Sequence, residues 1–278
     1  MNEITLPFGS FLLKGYRRHL LLWAQSLPGN WIGRRLSLIL RRITLLKKTP
    51  IIDAEVNGLN LRFYMLDNIA ERKFLFMPNF FDSYEFSFLK NQLNLGDTFI
   101  DVGANAGIYT LMAALAVGVK GTILAIEPNP LLVERLCFNL SNNNLKDRVI
   151  INQVGVHDTE KTLNLFIDKS NLGGSSLFHS DLKNKLIVRC RTLLQILQHN
   201  KIKKIDALKI DIEGLEDKAL LPFFSTAPMA LYPRVMIIEN NPQQWDTDLV
   251  GGLKSASYKL LRTTRLNQIW ILNNCHNK

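Results

Sequence analysis

Apolar residues recur at helical spacing at the start of the chain. Over residues 31–48 they predict an amphipathic helix whose apolar positions are Ile32, Leu36, Ile39, Leu40, Ile43 and Leu46. A shorter helix is predicted over residues 11–26, and the sequence PGN at 28–30 separates the two helices. The pattern changes after Pro50. Residues 51–65 form two apolar runs joined by Asn57 and Gly58, a pair that favours the tight turn of a β-hairpin.

From Thr98 onward, runs rich in Ile, Val and Leu alternate with helical patterns. Buried strands are predicted at residues 98–104, 122–128, 149–156, 207–212 and 235–240. Helices are predicted at residues 107–117, 130–142 and 192–200 and after Gly214. An insertion between the third and fourth of these strands contains two more strands, at 163–168 and 187–192. The chain ends with a strand pair at 258–263 and 268–272.

These elements define the expected fold class as α/β. Apolar strands that alternate with helices specify a mainly parallel sheet covered on both faces, and the final strand pair predicts an antiparallel edge. We therefore expect a Rossmann-like, seven-stranded sheet. Three parts are predicted: a basic amphipathic helical segment at residues 1–50, the β-hairpin with a connecting segment at 51–83, and a large α/β domain at 84–278.

Positive charge is concentrated in the first of these parts. The chain has a net charge of +10. Against the single acid Glu3, residues 1–50 contain the bases Lys14, Arg17, Arg18, Arg34, Arg35, Arg41, Arg42, Lys47 and Lys48. Three interpretations stay open: contact with an anionic membrane, contact with nucleic acid, or a helical lid packed on the core with its arginines in solvent. The segment lacks the interleaved aromatic residues of a single-strand binding surface, so nucleic acid is the least favoured of the three.

The cysteines and the N-terminal sequence favour a cytoplasmic location. Cys137, Cys190 and Cys275 have no CxxC spacing, and an odd number without a pairing pattern is typical of a reducing compartment. The apolar run at residues 20–24 is too short for a membrane span or a secretory signal. We expect a cytoplasmic protein in which residues 1–50 are the segment able to contact the inner face of the membrane.

A glycine-containing turn, DVGANAG at residues 101–107, follows the first core strand. Ligands of parallel α/β sheets bind at this edge. The carboxylate of Asp101 would repel the pyrophosphate of a dinucleotide but attract the ammonium group of a methionine moiety. Glu127 ends the next strand, where an acid accepts hydrogen bonds from both ribose hydroxyls. Together these features suit S-adenosylmethionine (SAM) better than NAD.

A second group of polar residues, KIDIEG at 209–214, ends the fourth core strand. If the strand continues that far, Asp211 and Glu213 project from the same face, over the same edge as the glycine turn. Either carboxylate is a candidate base for a hydroxyl acceptor, and His157, after the third strand, is another. The alternatives are that the two acids cap the following helix and that His157 is a polar loop residue. The GGSS sequence at 173–176 suits either a mobile lid or a plain linker.

The chain resembles the FkbM family of SAM-dependent methyltransferases. The resemblance covers roughly residues 81–240 and includes GDTFIDVGANAGIYT (96–110), GGSSL (173–177) and LKIDIEGLE (208–216). It implies a class I methyltransferase fold, a SAM-binding domain at 84–278 and O-methylation of a small-molecule or glycan hydroxyl. It places these residues at or near the cofactor: Glu85, Asp101, Gly103, Ala104, Asn105, Gly107, Tyr109, Glu127, Pro128, Gln153 and Val154. No metal site is predicted.

Two other functions compete with this one. The basic residues 1–50 are compatible with an RNA methyltransferase, although the fourth strand lacks the Asn/Asp-Pro-Pro-aromatic segment of enzymes that methylate amino groups of nucleic acids. The second competing function is a non-enzymatic module that keeps the SAM fold for binding or assembly. The oligomeric state stays open.

Overall fold

The computed structural model describes residues 3–46, 49–175, 177 and 184–273. Its α-helices are α1 (Tyr16–Ser26), α2 (Trp31–Thr44), α3 (Ile69–Phe76), α4 (Ser83–Gln92), α5 (Ile108–Val117), α6 (Pro130–Asn142), α7 (Leu193–His199), α8 (Glu216–Thr226) and α9 (Leu249–Ser255). Its β-strands are β1 (Ile51–Val56), β2 (Leu59–Tyr64), β3 (Thr98–Val102), β4 (Thr122–Ile126), β5 (Val149–Asn152), β6 (Gly155–Val156), β7 (Lys161–Phe166), β8 (Lys185–Arg191), β9 (Ala207–Ile210), β10 (Val235–Glu239), β11 (Tyr258–Thr263) and β12 (Asn267–Leu272).

The central sheet has seven strands in the order β11-β12-β10-β9-β3-β4-β5. The five strands from β10 to β5 run parallel, whereas β12 is antiparallel to both β10 and β11. Every residue of β9 is buried, as expected of an apolar strand covered by helices on both faces. The predicted α/β fold, mainly parallel with an antiparallel edge, is confirmed.

The strand order creates a crevice between β3 and β9. From β3 the chain continues to β4 and β5 on one side, and then crosses to β9 and β10 on the other. At such a reversal the loops that follow the two adjacent strands diverge and leave space at their carboxyl ends. Both polar motifs of the sequence lie there.

The two N-terminal helices are shorter than predicted. α1 begins at Tyr16 because Asp53 binds the preceding chain in a non-helical turn: the Phe11 N–H donates to Asp53 Oδ2 over 3.1 Å, and the Asp53 N–H donates to the Phe11 carbonyl over 3.1 Å. Gly15, with φ +57° and ψ −143°, then begins the helix. α2 ends at Thr44 instead of residue 48. Residues 47 and 48 lie outside the described part of the chain.

The strand predicted at residues 149–156 is interrupted. β5 ends at Asn152, whose carbonyl accepts the N–H of Val154 over 3.0 Å in a tight turn. After the turn the chain enters another sheet, because β6 pairs with β8 in the order β6-β8-β7. The insertion is thus a small sheet at the carboxyl edge of the central one. The β1–β2 hairpin forms as predicted, with Asn57 at φ +52° and Gly58 at φ +77°.

The N-terminal helices and the hairpin share one apolar cluster with the central sheet. It contains Leu21 of α1, Leu40 of α2, Phe63 of β2, Phe74 of α3 and Phe99 of β3. Packing is therefore continuous across residues 50 and 83, where the sequence predicted boundaries between three parts of the chain. Whether the three parts differ in function stays a prediction. Across the described residues, no helix has the length and hydropathy to cross a membrane.

Candidate active site

The turn after β3 packs against the loop after β9. Gly103 has φ +78°, and a Cβ atom here would lie 1.9 Å from the Asp211 carbonyl oxygen. Gly107 has φ +92°, and a Cβ atom would lie 2.3 Å from Leu136 Cδ1. Asn105, between the two glycines, has φ +53°. Glycine meets both the dihedral and the space requirement, so the two polar motifs are in direct contact.

Glu127 is anchored by backbone amides and keeps hydrogen-bonding capacity. Its Oε2 accepts the Asn105 N–H over 2.8 Å, and its Oε1 accepts the Asn129 N–H over 3.0 Å. Each carboxylate oxygen has a second lone pair, so the side chain has room for further donors. Burial raises the pKa of Glu127 to about 7, although both amide hydrogen bonds oppose the shift.

Asp101 is buried under the turn with one oxygen unsatisfied. Thr110 Oγ1 donates to its Oδ2 over 2.5 Å, whereas its Oδ1 has no hydrogen-bond partner among the described residues. Burial raises the pKa of Asp101, and the Lys209 ammonium and the Thr110 hydroxyl oppose this. A buried acceptor without a donor is costly and rare in folded proteins, which makes this oxygen a candidate ligand contact.

The strand does not continue far enough for Asp211 and Glu213 to share one of its faces, as the sequence had suggested. β9 ends at Ile210, and Glu213 has the left-handed φ of +56°. Both side chains nevertheless line one cavity. The buried Lys209 Nζ donates to Asp211 Oδ2 over 3.1 Å, and the attraction of Asp211 and Asp101 outweighs burial to raise the pKa of Lys209. Burial, followed by the charges of Asp211 and Glu216, raises the pKa of Glu213 to about 8.

Two further acids surround this pair. Glu216, the first residue of α8, fixes the loop that precedes the helix: its Oε1 accepts the Ile212 N–H over 2.9 Å, and its Oε2 accepts the Trp245 Nε1–H over 2.8 Å. Glu239 ends β10, and its buried Oε2 has no partner among the described residues. Burial and the charges of Asp211, Glu213 and Glu216 raise the pKa of Glu239. In the described parts of the chain, no cluster of His, Cys, Asp and Glu has metal-binding geometry.

A small cavity, with a volume of about 50 Å³, lies between the two motifs. The predicted residues Gly103, Glu127, Pro128 and Val154 line it, together with Asp211 and Glu213. The insertion covers it: Ser175 and Leu177 are in its wall, and a Cβ atom on Gly173 would lie 2.4 Å from Asn105 Nδ2.

The other predicted residues lie outside this cavity. Ala104 is buried, and its N–H donates to the Ile126 carbonyl over 3.1 Å. Glu85 accepts hydrogen bonds from Thr264 Oγ1 (2.5 Å) and Asn267 Nδ2 (3.0 Å), on the opposite side of β3 from Glu127. It therefore ties α4 to the β11–β12 turn.

Gln153 and His157 are also absent from the described residues that line this cavity. Gln153 faces a surface depression beside α6. His157 Nδ1 lies 2.6 Å from Asp158 Oδ1. The backbone N–H of His157 donates to the Arg191 carbonyl, and this hydrogen bond joins His157 to β8. The structure therefore groups Asp211 and Glu213 but leaves His157 outside the set of described residues that line the cavity.

A second, larger cavity of about 620 Å³ lies on the far side of Lys209. Tyr109 and Asp82 connect the two: the Tyr109 hydroxyl donates to Asp82 Oδ2 over 2.8 Å, and Lys209 Nζ lies 4.9 Å from the centre of the Tyr109 ring. Asp82 is in the wall of the larger cavity and Asp211 in that of the smaller one. A row of polar side chains thus links them.

The sequence model of the Methyltransferase FkbM domain matches residues 101–259, more than half of the chain. The chain belongs to the FkbM methyltransferase family. SAM is the cofactor of this family, and this FkbM chain is a SAM-dependent methyltransferase. No curated protein sequence matches it.

Solved structures that are similar to this FkbM methyltransferase include a putative rRNA methylase from Clostridium thermocellum (14% identity, 68% of this chain and 93% of that one, TM-score 0.45). Aeropyrum pernix fibrillarin with natively bound SAM is 11% identical, over 68% of this chain and 74% of that one, with a TM-score of 0.43. A SAM-dependent O-methyltransferase from Thermotoga maritima is 14% identical, over 86% of this chain and 83% of that one, with a TM-score of 0.44. At TM-scores below 0.5 these likenesses carry no weight in assigning an acceptor.

The charges around the small cavity fit SAM. Asp101, Glu127, Asp211 and Glu213 lie at or beside the small cavity, and Lys209 donates a hydrogen bond to Asp211. SAM carries a sulfonium and an ammonium group, and these positive charges would favour the ionised form of acids whose pKa burial raises. Space is less favourable, because ligand pockets occupy roughly 300–1,000 Å³. The cavity of about 50 Å³ is smaller than this range, and Ser175 and Leu177 of the covering insertion form part of its wall.

Sequence reasoning missed Asp82, Lys209 and Glu239. Glu239 carried a signal, because it ends the apolar run VMIIE and the ends of parallel strands meet at one edge. Lys209 carried a signal as well, because a lysine within an apolar run such as β9 is expected to be buried, and a buried lysine almost always has a partner. Asp82 lies in an irregular stretch where the sequence pattern gives no indication.

Proposed function

We propose that the chain transfers the methyl group of SAM to a hydroxyl oxygen of a carbohydrate-containing or other small-molecule acceptor. The observation that carries this proposal is the position of Asp211 and Glu213. Both line the small cavity, and Asp211 is joined through Lys209 and Tyr109 to a second cavity large enough for an acceptor. SAM would occupy the first cavity, and the acceptor would enter from the second.

A hydroxyl acceptor needs a base, and Glu213 supports that role. When bound, SAM supplies a methyl group on a sulfonium centre, and its transfer to oxygen leaves S-adenosylhomocysteine. As the new C–O bond forms, the hydroxyl proton must pass to a nearby group. A pKa of about 8 suits Glu213 for this, since a base works best when its pKa lies near the working pH.

Asp211 is suited to positioning the acceptor. Its side chain is 38% exposed and is held by the Lys209 ammonium, whose own side chain is 6% exposed. A carboxylate fixed in this way accepts a hydrogen bond from a hydroxyl and orients the oxygen lone pair toward the methyl group. Asp101 and Glu127 would hold the methionine and ribose ends of SAM.

The test is methyl transfer from radiolabelled SAM to a panel of free and conjugated sugars, with the Glu213→Gln variant. Exposed Glu134 on α6 provides the matched control, Glu134→Gln. We expect turnover by the wild type and the control, and a loss of about 100-fold or more in kcat for Glu213→Gln, as is typical when a general base is removed. Full kcat in Glu213→Gln would refute Glu213 as the base.

With an RNA substrate added to the panel, two outcomes would favour the competing functions. Transfer to RNA but to none of the sugars would indicate a nucleic-acid methyltransferase. Tight SAM binding without transfer to any acceptor would indicate a binding module. Cys137 and Cys190 are free thiols, as we expect of a protein in a reducing compartment. The cytoplasmic location itself stays a prediction.

We also propose that residues 1–50 contact an anionic membrane surface, because α2 has an unusual distribution of side chains. Its buried residues are Gly33, Ser37, Leu40 and Thr44, most of them small or polar. Its outer face instead exposes large apolar side chains, with these exposed fractions: Trp31 69%, Ile32 51%, Leu36 37%, Ile39 55% and Ile43 38%. An ordinary surface helix has the opposite arrangement.

Charge complementarity supports a lipid surface as the partner. At 100° per residue, Arg35 and Arg42 lie between Trp31 and the stripe formed by the exposed isoleucines and Leu36. Arginines that flank an apolar stripe can bury their methylene chains in the interface while the guanidinium groups reach anionic headgroups. α2 would then lie in the plane of the interface.

Sedimentation with phosphatidylglycerol and phosphatidylcholine vesicles tests this contact. The Ile39→Ser/Ile43→Ser variant removes about 1 kcal/mol of apolar burial per side chain, so partitioning onto anionic vesicles should fall roughly 30-fold. Equal partitioning of wild type and variant would contradict the proposal. So would a concentration-dependent dimer that the double substitution abolishes, since a second copy would then cover the stripe.

A further inference from the structure

The larger cavity is lined by an excess of cations. It lies between α2, α3, the start of α4 and the β11–β12 turn. Its basic residues are Arg34, Arg41, Arg72, Lys73, Arg262 and Arg265. Its acids are Asp82 and Glu85, and both already accept hydrogen bonds, from Tyr109 and from Thr264 and Asn267. The wall is therefore strongly positive.

Within residues 3–46, 49–175, 177 and 184–273, none of these six cations forms a salt bridge. The guanidinium of Arg34 lies over the Phe80 ring (5.4 Å), and that of Arg262 lies over the Tyr84 ring (4.1 Å). Arg72 Nη1 donates to the Met65 carbonyl over 3.0 Å. These contacts orient the groups, and no carboxylate of the described residues lies within salt-bridge distance of any of the six.

The cations are close enough to repel one another. Burial and then the charge of Arg72 lower the pKa of Arg41. Burial also lowers the pKa of Lys73, Asp82 opposes this, and the charges of Arg265, Arg34 and Arg72 add to the lowering. A bound anion would relieve this repulsion, and arginine forks match phosphate oxygens in pairs.

We propose that this cavity binds the methyl acceptor through a phosphate or diphosphate group. The inference rests on the proposed function, and it assigns the acceptor to phosphorylated compounds whose hydroxyl-bearing part faces Asp82 and Asp211. The shared chemistry is the phosphate; the compound is either a soluble sugar phosphate or a lipid-linked one. The apolar wall, which includes Leu38, Phe81 and Leu266, would contact the remainder of the acceptor.

The two arginine pairs of α2 provide a matched test. Arg34 and Arg41 line the cavity, whereas their sequence neighbours Arg35 and Arg42 do not. Calorimetry with inorganic pyrophosphate would compare Arg34→Gln/Arg41→Gln with Arg35→Gln/Arg42→Gln, which removes the same charge from the same helix. We expect the first variant to lose at least tenfold in pyrophosphate affinity and the second to retain wild-type affinity.

SAM titration of the same three proteins separates this proposal from the proposed function. Unchanged SAM affinity with selective loss of pyrophosphate binding supports a phosphate site. Retained SAM binding with no pyrophosphate binding, or with equal binding by all three proteins, overturns it. Absence of SAM binding in the wild type would refute the proposed function instead.

Methyl transfer then identifies the source of the phosphate. Each sugar would be supplied unphosphorylated, phosphorylated in solution, and lipid-linked through diphosphate in vesicles. A preference of tenfold or more for either phosphorylated form supports the proposal, and which form is preferred distinguishes the soluble from the lipid-linked acceptor. Equal transfer to the unphosphorylated sugar overturns it. The proposal is also overturned if an RNA oligonucleotide binds more tightly than pyrophosphate and the Arg34→Gln/Arg41→Gln variant loses this RNA binding.

Discussion

Two glycines with nearly the same φ allow the contact between the two motifs to be measured. Gly103 has φ +78° and Gly58 has φ +77°. A Cβ atom on Gly58 has no atom within 4 Å, whereas one on Gly103 would lie 1.9 Å from the Asp211 carbonyl oxygen. Gly58→Ala therefore reports the dihedral strain alone, and Gly103→Ala reports the same strain plus the displacement of the Asp211 loop.

The expected magnitudes follow from this difference. Left-handed backbone costs an alanine about 1–2 kcal/mol. Forcing a carbon atom into packed structure adds about 1–3 kcal/mol. Urea unfolding should therefore give a loss of about 1–2 kcal/mol for Gly58→Ala and about 2–5 kcal/mol for Gly103→Ala.

The same two variants should differ in SAM binding. Gly58 lies in the β1–β2 hairpin, so Gly58→Ala should bind SAM as the wild type does. In Gly103→Ala, the shifted loop would move Asp211 and Glu213, and calorimetry should show weaker SAM binding. If the two variants lose equal stability and Gly103→Ala keeps its SAM affinity, the account of the contact between the motifs is wrong.

Three further substitutions probe the acids and their cation. Glu127→Gln should weaken SAM binding about 10- to 100-fold in calorimetry, since hydrogen bonds to a charged acceptor contribute about 1.5–3 kcal/mol; unchanged affinity would exclude Glu127 as a ligand. Lys209→Met removes the cation that compensates buried carboxylates and should cost about 3 kcal/mol in urea unfolding, whereas Lys203→Met, at an exposed site with no salt bridge among the described residues, should cost little. Because the folded pKa of Glu213 is raised to about 8, its contribution to stability is greatest below the unfolded pKa and is lost as the pH rises toward 8. Glu213→Gln should therefore gain stability relative to the wild type by up to about 1.4 kcal/mol per pH unit between pH 5 and 8, and a pH-independent difference would contradict the raised pKa.

The sequence pattern was sufficient for most of the central sheet. Continuous apolar runs predict β3, β4, β9 and β10, because a strand buried on both faces needs no alternation. The glycine turn was predictable for a local reason as well, since positive φ at Gly103 and Gly107 restricts the residue type.

Features that depend on distant contacts were not predictable. The break at Gln153 arises because β6 pairs with β8, which follows it by about 30 residues. The position of the loop that carries Asp211 depends on its contact with Gly103, which lies far earlier in the sequence.

The N-terminal helix shows the same limit. Periodicity identified the apolar positions of α2, but it could not show that Gly33 and Ser37 face the core while Ile39 and Ile43 face outward. On the buried face, Gly33 packs against the Pro28 carbonyl, where a Cβ atom would lie 2.0 Å away, and Ser37 Oγ donates to the Ala24 carbonyl over 3.3 Å. Likewise, the division of the arginine pairs between the cavity and the outer surface is a property of the packed helix.

The central claim is that SAM binds at the crevice between β3 and β9. Calorimetric titration of the wild type and an Asp101→Ala/Glu127→Ala variant with SAM, S-adenosylhomocysteine and NAD tests it most directly. The account predicts saturable binding of SAM and S-adenosylhomocysteine by the wild type, no binding of NAD, and loss of both cofactor forms in a variant that remains folded by circular dichroism. Wild-type affinity for SAM in the folded variant, or no SAM binding by the folded wild type, would contradict it.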